Sequence, residues 1–289
     1  ALAAGVPFTL STVGICPLAE VVAATGHAPW FQLYMLRDRG AVRALLDAAW
    51  AGGCRTLVFT VDLPLPGMRW RDVRNGIAAS GVRAALLRAR HVLARPGWVG
   101  DGVIGGRPLS FGNLHQQVLG GRDLNACKAW IDAQLDPGVT WHDIEWLRGQ
   151  WQGRLLLKGI LEVHDARAAV ASGADGIVVS NHGGRQLDAA PASITALPAI
   201  ARAVGSQTEV LMDGGVRSGV DIFKALALGA RGVLIGRPWV WALAAQGQAG
   251  VTQLLAHWQR ELLLTMTLAG VTRIADINPS HLITPQERP

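Results

Sequence analysis

Short apolar or β-branched runs, separated by alanine-rich stretches of helical period, recur along almost the whole chain, and this alternation constrains the fold more than any other feature. The runs cover 7–12, 30–35, 55–62, 154–160, 176–181, 209–215 and 232–237, and segments such as 40–51 and 218–228 fill the gaps. With one exception they begin about 22 to 33 residues apart, the spacing of repeated βα units in a parallel sheet. The expected fold is therefore α/β, a (β/α)8 TIM barrel in one domain over 1–289. The exception is an interval of about 90 residues between Asp62 and Arg154, too long for an ordinary connection. It predicts a loop and helical segment, 63–153, inserted after a strand end, where barrel function sits. Seven runs are countable where closure takes eight, and the chain opens on what reads as a helix end followed by a strand. The first βα unit is thus expected to be missing, the chain to be an N-terminally truncated piece of a longer polypeptide, and two strand edges to need covering.

Composition narrows the chemistry only by exclusion. Cys16, Cys54 and Cys127 are odd in number and widely spaced, which argues against a disulfide framework or a paired-cysteine metal site and for a reducing, cytoplasmic setting; no metal is expected. No apolar run reaches the roughly 18 residues that span a bilayer, and no secretory leader opens the chain. A soluble or peripheral protein is expected. The formal charge of +6 comes almost wholly from arginine, Lys128, Lys158 and Lys224 being the lysines; a GC-rich genome produces such a bias, and no nucleic-acid partner is assigned.

The chemistry-bearing residues collect at strand ends. After the apolar run at 176–179 comes Ser180-Asn181-His182-Gly183-Gly184-Arg185-Gln186, which puts a proton acceptor and an anion clamp at one rim of a sheet. Lys158 follows Leu155-Leu156-Leu157 inside a strand. A buried ammonium needs a negative partner, either a carboxylate from another strand or a cofactor that becomes anionic. Asp213-Gly214-Gly215-Val216-Arg217 and Gly236-Arg237 close the last two runs, each ahead of a helix. Glycines there let backbone N–H groups approach phosphate oxygens, helix N-termini add a favourable dipole and arginine adds a fork; the alternative is ordinary turns and surface charges. Gln32, Tyr34, Thr60 and Asp62 interrupt apolar strands at their ends, with Arg69 seven residues beyond Asp62. Each alone reads equally as a structural hydrogen-bond former.

Taken together these motifs resemble the FMN-dependent 2-hydroxy-acid dehydrogenase and oxidase family, and within it the bacterial quinone-linked L-lactate dehydrogenases. The similarity runs from Pro7 to about Leu282 and is carried above all by the stretch from Ser180 to Asp188, then by 31–34, 60–64, Leu157-Lys158-Gly159, 213–217 and Gly236-Arg237. It implies an FMN-binding barrel, with the insertion following the family's fourth strand. His182 would be the base at the substrate's C2, supported by Asp62. Arg185 and Arg69 would hold the substrate carboxylate and Tyr34 its hydroxyl or carboxylate, while Lys158 would stand where negative charge accumulates on flavin reduction. Cofactor contacts are implied for Ser11, Gln32 and Thr60 at the ring, Asp213 at the ribityl chain, and Gly215, Arg217, Gly236 and Arg237 toward the phosphate.

The implied reaction is oxidation of L-lactate, or a similar short L-2-hydroxy acid, to the 2-oxo acid with electrons passed to quinone or another acceptor. Its alternatives are an oxygen-using oxidase or, from another class, an inactive barrel fragment that binds a phosphate ligand or partner chain. The family's first strand and an N-terminal active-site tyrosine have no counterpart in these 289 residues. Val13 and Gly14 stand where some members carry a large aromatic residue, and are expected to leave room. Within the insertion Val82, Leu86, Ala89 and Leu93 share a helical face, with Arg83, Arg88, Arg90 and Arg95 largely off it. Such a helix either meets the inner face of the cell membrane peripherally or packs on the barrel as a lid. Family membership also implies a homo-oligomer.

Overall fold

Seven strands form one all-parallel sheet whose neighbours follow chain order: β1 (Thr9–Ser11), β2 (Trp30–Leu33), β3 (Thr56–Thr60), β4 (Arg154–Ile160), β5 (Gly176–Val179), β6 (Glu209–Met212) and β7 (Gly232–Val233). The computed structural model describes residues 1–70, 74–75, 81–100, 111–114 and 124–283, and the side chains of all of these except 83, 84, 88, 98 and 124–128. Cys127, Lys128, Arg83 and Arg88 therefore fall outside the described side chains. Each strand lies inside the run expected for it, and six of the seven stop short of its end. The trimmed residues, Tyr34, Asp62, Asn181, Asp213 and Arg237 among them, leave the ladder because their polar groups go to the rim.

Helices α1 (Leu18–Thr25) and α2 (Arg39–Ala51) link the first three strands; α3 (Val82–Leu93), α4 (Leu124–Gln134) and α5 (Trp141–Gln150) lie between β3 and β4; α6 (Val163–Ala171), α7 (Ser193–Val204) and α8 (Gly219–Ala227) link the rest, and α9 (Arg237–Leu268) follows β7. Non-helical backbone at Gln246 and Gly247 divides α9 into two helical stretches. The helix ends are chemically marked. Asp38 Oδ1 accepts from Gly40 N and Ala41 N at 2.8 and 3.1 Å, and Ser218 Oγ accepts from Asp221 N at 3.1 Å. Each cap satisfies first-turn donors that the helix itself leaves unpaired.

The core is the seam between strands and helices. Phe31, Leu33, Leu57, Phe59, Leu155, Leu157, Ile177 and Val179 are buried with Val42, Leu45, Leu46, Ala49, Leu197 and Ile200 from the helices. Central strands covered on both faces read as continuous apolar runs, which is why β3 to β5 were legible. Cys54 is fully buried, and burial pushes its thiol up to about 11, against a lowering by Arg55.

The segment between β3 and β4 is tied down next to the rim. Asn113 donates to Ser11 O at 3.0 Å and accepts from Leu18 N at 2.8 Å, while Gly112 N donates to Gly14 O at 2.9 Å and Leu114 is buried. Farther along, Arg39 reaches Asp136 and Asp143 at 2.8 and 2.6 Å. These bonds place 111–114 over the end of β1. A Cβ on Gly14 would stand 3.0 Å from Ser11 O and 3.1 Å from Leu10 Cδ1. The glycine thus allows close packing against the end of β1.

Candidate active site

The site begins with a histidine held in an unusual backbone state. His182 has φ 55, a left-handed conformation that costs a non-glycine residue about 1–2 kcal/mol. Its surroundings impose that state. Asn181 N donates to Ser193 Oγ at 3.1 Å, Asn181 Nδ2 to Pro191 O at 3.2 Å, and Gly184 N to Asn181 Oδ1 at 3.2 Å. His182 Nδ1 then lies 2.8 Å from Asp62 Oδ1, both side chains largely buried. An ionised carboxylate only accepts, so Nδ1 carries the proton and Nε2 is left as the acceptor, the state a general base needs. The room for Asp62 comes from Gly159. This residue has φ 112, and a Cβ on it would fall 2.7 Å from Asp62 Cβ and 2.9 Å from Asp62 N.

The loop carrying Arg69 packs against the loop carrying Arg185. A Cβ on Gly67 would sit 2.3 Å from Arg185 O, and Gln186 Nε2 donates to Leu65 O at 3.0 Å. Tyr34 follows β2 directly and lies close enough to Asp62, Arg69 and Arg185 for all three charges to act on its hydroxyl. Burial pushes it up to about 12, the Asp62 carboxylate adds to the rise, and the two guanidiniums partly oppose it. Tyr34 is therefore a neutral donor throughout the working pH range.

A second polar line crosses the strand ends. Ser11 Oγ donates to Gln32 Oε1 at 2.8 Å, and Gln32 Nε2 to Thr60 Oγ1 at 3.0 Å, in a register that sets Ser11 beside Gln32 and Thr60 beside Lys158. Lys158 Nζ reaches Ser180 Oγ at 2.9 Å and Asp213 Oδ2 at 3.1 Å. The carboxylate partner foreseen as one of two alternatives for this lysine is thus present, one strand beyond β5. Beyond β6, Gly214 and Gly215 have φ 88 and 82, and Arg217 is exposed with its N–H on Asp221 Oδ2 at 2.9 Å. At the end of β7, Arg237 Nη2 donates to Gly183 O at 2.8 Å, so one of its five donors already braces the histidine loop.

These residues fit FMN. Asp62 Oδ2, Arg69 Nε and Asp213 Oδ1 are buried without a hydrogen-bond partner among the described residues, and such groups are costly unless a ligand or water completes them. A Cβ on Gly215 or Gly236 would meet open space, leaving their backbone accessible to an anion. Three residues that the motifs alone did not single out for a role also belong to the site: Ser180, Asn181 and Ser193. Serine and asparagine after an apolar strand read as turn formers; the available signal for Ser180 and Asn181 was their place within the histidine motif, while Ser193, at the start of α7, carried none.

A curled parallel sheet whose C-terminal rim gathers an Asp-supported histidine, two arginines, a neutral tyrosine and a lysine facing a polar strand-end line defines a barrel oxidoreductase of small organic acids. The sequence profile of FMN-dependent dehydrogenases matches residues 1–284, and the chain belongs to that family, with FMN as its cofactor. L-lactate dehydrogenase of Caulobacter vibrioides is 51% identical over 282 residues, covering 98% of this chain and 73% of the relative; that of Bartonella tribocorum is 48% identical over 283, with the same coverage. Among solved structures, (S)-mandelate dehydrogenase, described as a monotopic membrane protein, matches with a TM-score of 0.87 at 34% identity over 98% of this chain and 74% of its own. Mandelate oxidase with (S)-2-phenylpropionate matches with a TM-score of 0.73 at 42% identity over 93% of this chain and 66% of its own. The chain thus spans about three quarters of the lactate dehydrogenases and about two thirds of that oxidase.

Proposed function

We propose that the chain catalyses FMN-dependent oxidation of L-lactate, or a similarly short L-2-hydroxy acid, to the 2-oxo acid, with quinone as the onward acceptor. The observation that carries this reading is the 2.8 Å contact between His182 Nδ1 and Asp62, which in the neutral imidazole leaves Nε2 to accept at the rim that Tyr34, Arg69 and Arg185 share. Lactate is preferred on the names of the two relatives.

Oxidising a 2-hydroxy acid removes two electrons and two protons. His182 Nε2 accepts one proton, and Asp62 stabilises the resulting imidazolium. Arg69 and Arg185 pair with the carboxylate, and Tyr34 donates to the substrate oxygens without ionising. FMN, when bound, would supply the acceptor for the two electrons and the second proton. Lys158 would offer it a compensating positive charge; Ser11, Gln32 and Thr60 would hold its ring, Asp213 its ribityl chain, and Gly215, Arg217, Gly236 and Arg237 its phosphate.

In this reading 1–289 is one barrel domain with 63–153 as an insertion. The seven strands are the second to eighth of a (β/α)8 barrel, with the outer edges of β1 and β7 the places for the remaining strand. Support comes from the sheet's curl: the Leu2–Ala4 turn at one end packs on α9, which follows the other. Among the described residues no helix is long and apolar enough to cross a membrane. On α3, however, Val82, Leu86 and Leu93 are 78%, 66% and 79% exposed, with Arg90 and Arg95 exposed nearby. An unpacked stripe favours membrane contact over the lid alternative and suits delivery of electrons to a lipid-soluble quinone. A homo-oligomer is carried over from the family resemblance.

The test is the visible spectrum of the FMN-loaded protein without oxygen. L-lactate should bleach it within seconds, and quinone should restore the colour faster than air does. His182→Ala should keep the flavin and lose at least about a thousandfold in bleaching rate. Loss of flavin from that variant, or bleaching at the wild-type rate, contradicts the assignment.

A further inference from the structure

We propose that Ser180 is a positioning residue whose buried hydroxyl accepts hydrogen bonds from Lys158 Nζ and from the His182 backbone N–H at once, locking the cofactor-facing ammonium to the proton-accepting histidine. The proposal rests on the roles given above to Lys158 and His182.

Ser180 has no exposed surface and follows directly on β5. Its Oγ lies 2.9 Å from Lys158 Nζ and 3.0 Å from His182 N. A hydroxyl has two acceptor lone pairs, and these two donors occupy both. The ammonium has three N–H groups. Ser180 takes one and Asp213 Oδ2, at 3.1 Å, a second, so the direction of the third is fixed.

Without the serine oxygen only Asp213 would hold the ammonium, at the end of a flexible four-carbon stem. With Asp213 Oδ2, now at 3.1 Å, as its remaining anchor, the ammonium would draw in against that carboxylate and its charge would be neutralised there, away from the cofactor. The same loss would strip the His182 N–H of its acceptor at a residue already held in a left-handed backbone state. One hydroxyl thus serves both halves of the reaction: charge stabilisation on the cofactor side and base placement on the substrate side.

Ser180→Ala removes the acceptor, and Ser180→Cys keeps the volume while offering only a weak one. Both are to be compared with Lys158→Met in FMN-loaded protein by the midpoint potential of the bound flavin, FMN affinity, melting temperature and the kcat and KM for L-lactate. The expected result is that both serine variants fold, bind FMN within a few-fold of wild type, and make reduction about tenfold less favourable, ~30 mV for a two-electron couple. kcat should fall more than KM rises. Wild-type potentials in both serine variants, alongside a shifted Lys158→Met, overturn the role of Ser180 alone. An unshifted Lys158→Met removes the role of Lys158 and the proposal with it. Should neither serine variant retain FMN, acylation of Lys158 in the apoprotein decides: faster modification in both variants supports the lock, and the wild-type rate overturns it.

Discussion

Tyr34 is the one tyrosine in the chain, so an alkaline absorbance titration reports on it alone. Burial is the main reason its hydroxyl is pushed up to about 12, with Asp62 adding to the rise and Arg69 and Arg185 opposing it. The sign follows from the neutral form being favoured in the folded state. Its stabilising contribution is complete below pH 10 and is lost as pH rises from 10 toward 12, because the unfolded chain ionises first. Tyrosinate absorbance after a pH jump, read before unfolding, should show its midpoint near 12, and near 10 in denaturant; a folded-state midpoint near 10 contradicts the enclosed site. Much of this residue-level picture was legible. Tyr34, Asp62 and His182 interrupt apolar strands at their ends, and Lys158 stands inside one. What was not legible is why they stay put. The left-handed φ of His182 is uncommon for any non-glycine residue, although histidine adopts it more readily than most, and the hydroxyls of Ser180 and Ser193 act through neighbours that only folding supplies.

Among the elements, β4 shows how a local irregularity makes room for chemistry. Its pairing with β5 shifts between Lys158 and Ile160, and Gly159 at the shift has φ 112 with Asp62 directly against it. The sequence marks Gly159 only as a glycine in a strand, which signals a bulge or a close approach without saying of what. Gly159→Ala combines strained backbone with overpacking, each worth about 1–3 kcal/mol. We expect roughly 2–4 kcal/mol lost in denaturant unfolding, and, in protein that remains folded, flavin reduction by L-lactate slowed roughly tenfold to a hundredfold because Asp62 is displaced from His182. Wild-type stability and rate would remove the packing argument. The alternation itself, by contrast, announced all seven strands, because parallel strands covered on both faces leave continuous apolar runs. The 111–114 segment escaped the same reading, since its hold on Ser11 through Asn113 depends on contacts about a hundred residues apart in sequence.

For the molecule as a whole, the open question is which face meets the electron acceptor. The insertion leaves the sheet after β3, where the loop carrying Arg69 also exposes Leu65, Met68 and Trp70; α3 follows with its apolar stripe exposed. In the proposed reading, substrate rim and apolar surface share one connection, an arrangement that would let a lipid-soluble acceptor approach without a path through the core. The net charge of +6 favours anionic bilayers, each arginine near such a surface contributing about 1 kcal/mol at moderate ionic strength. Leu86 and Leu93 supply the apolar part, about 1.5–3 kcal/mol each when fully buried. The double variant Leu86→Asp and Leu93→Asp should then bind vesicles of mixed anionic and zwitterionic lipid at least roughly tenfold more weakly, with its flavin spectrum and its bleaching by L-lactate unchanged. Raising salt should weaken the wild type as well, because the arginine contribution is screened while the leucine contribution is not. Equal vesicle binding by variant and wild type would assign the stripe on α3 to contacts within the protein and return it to the lid alternative.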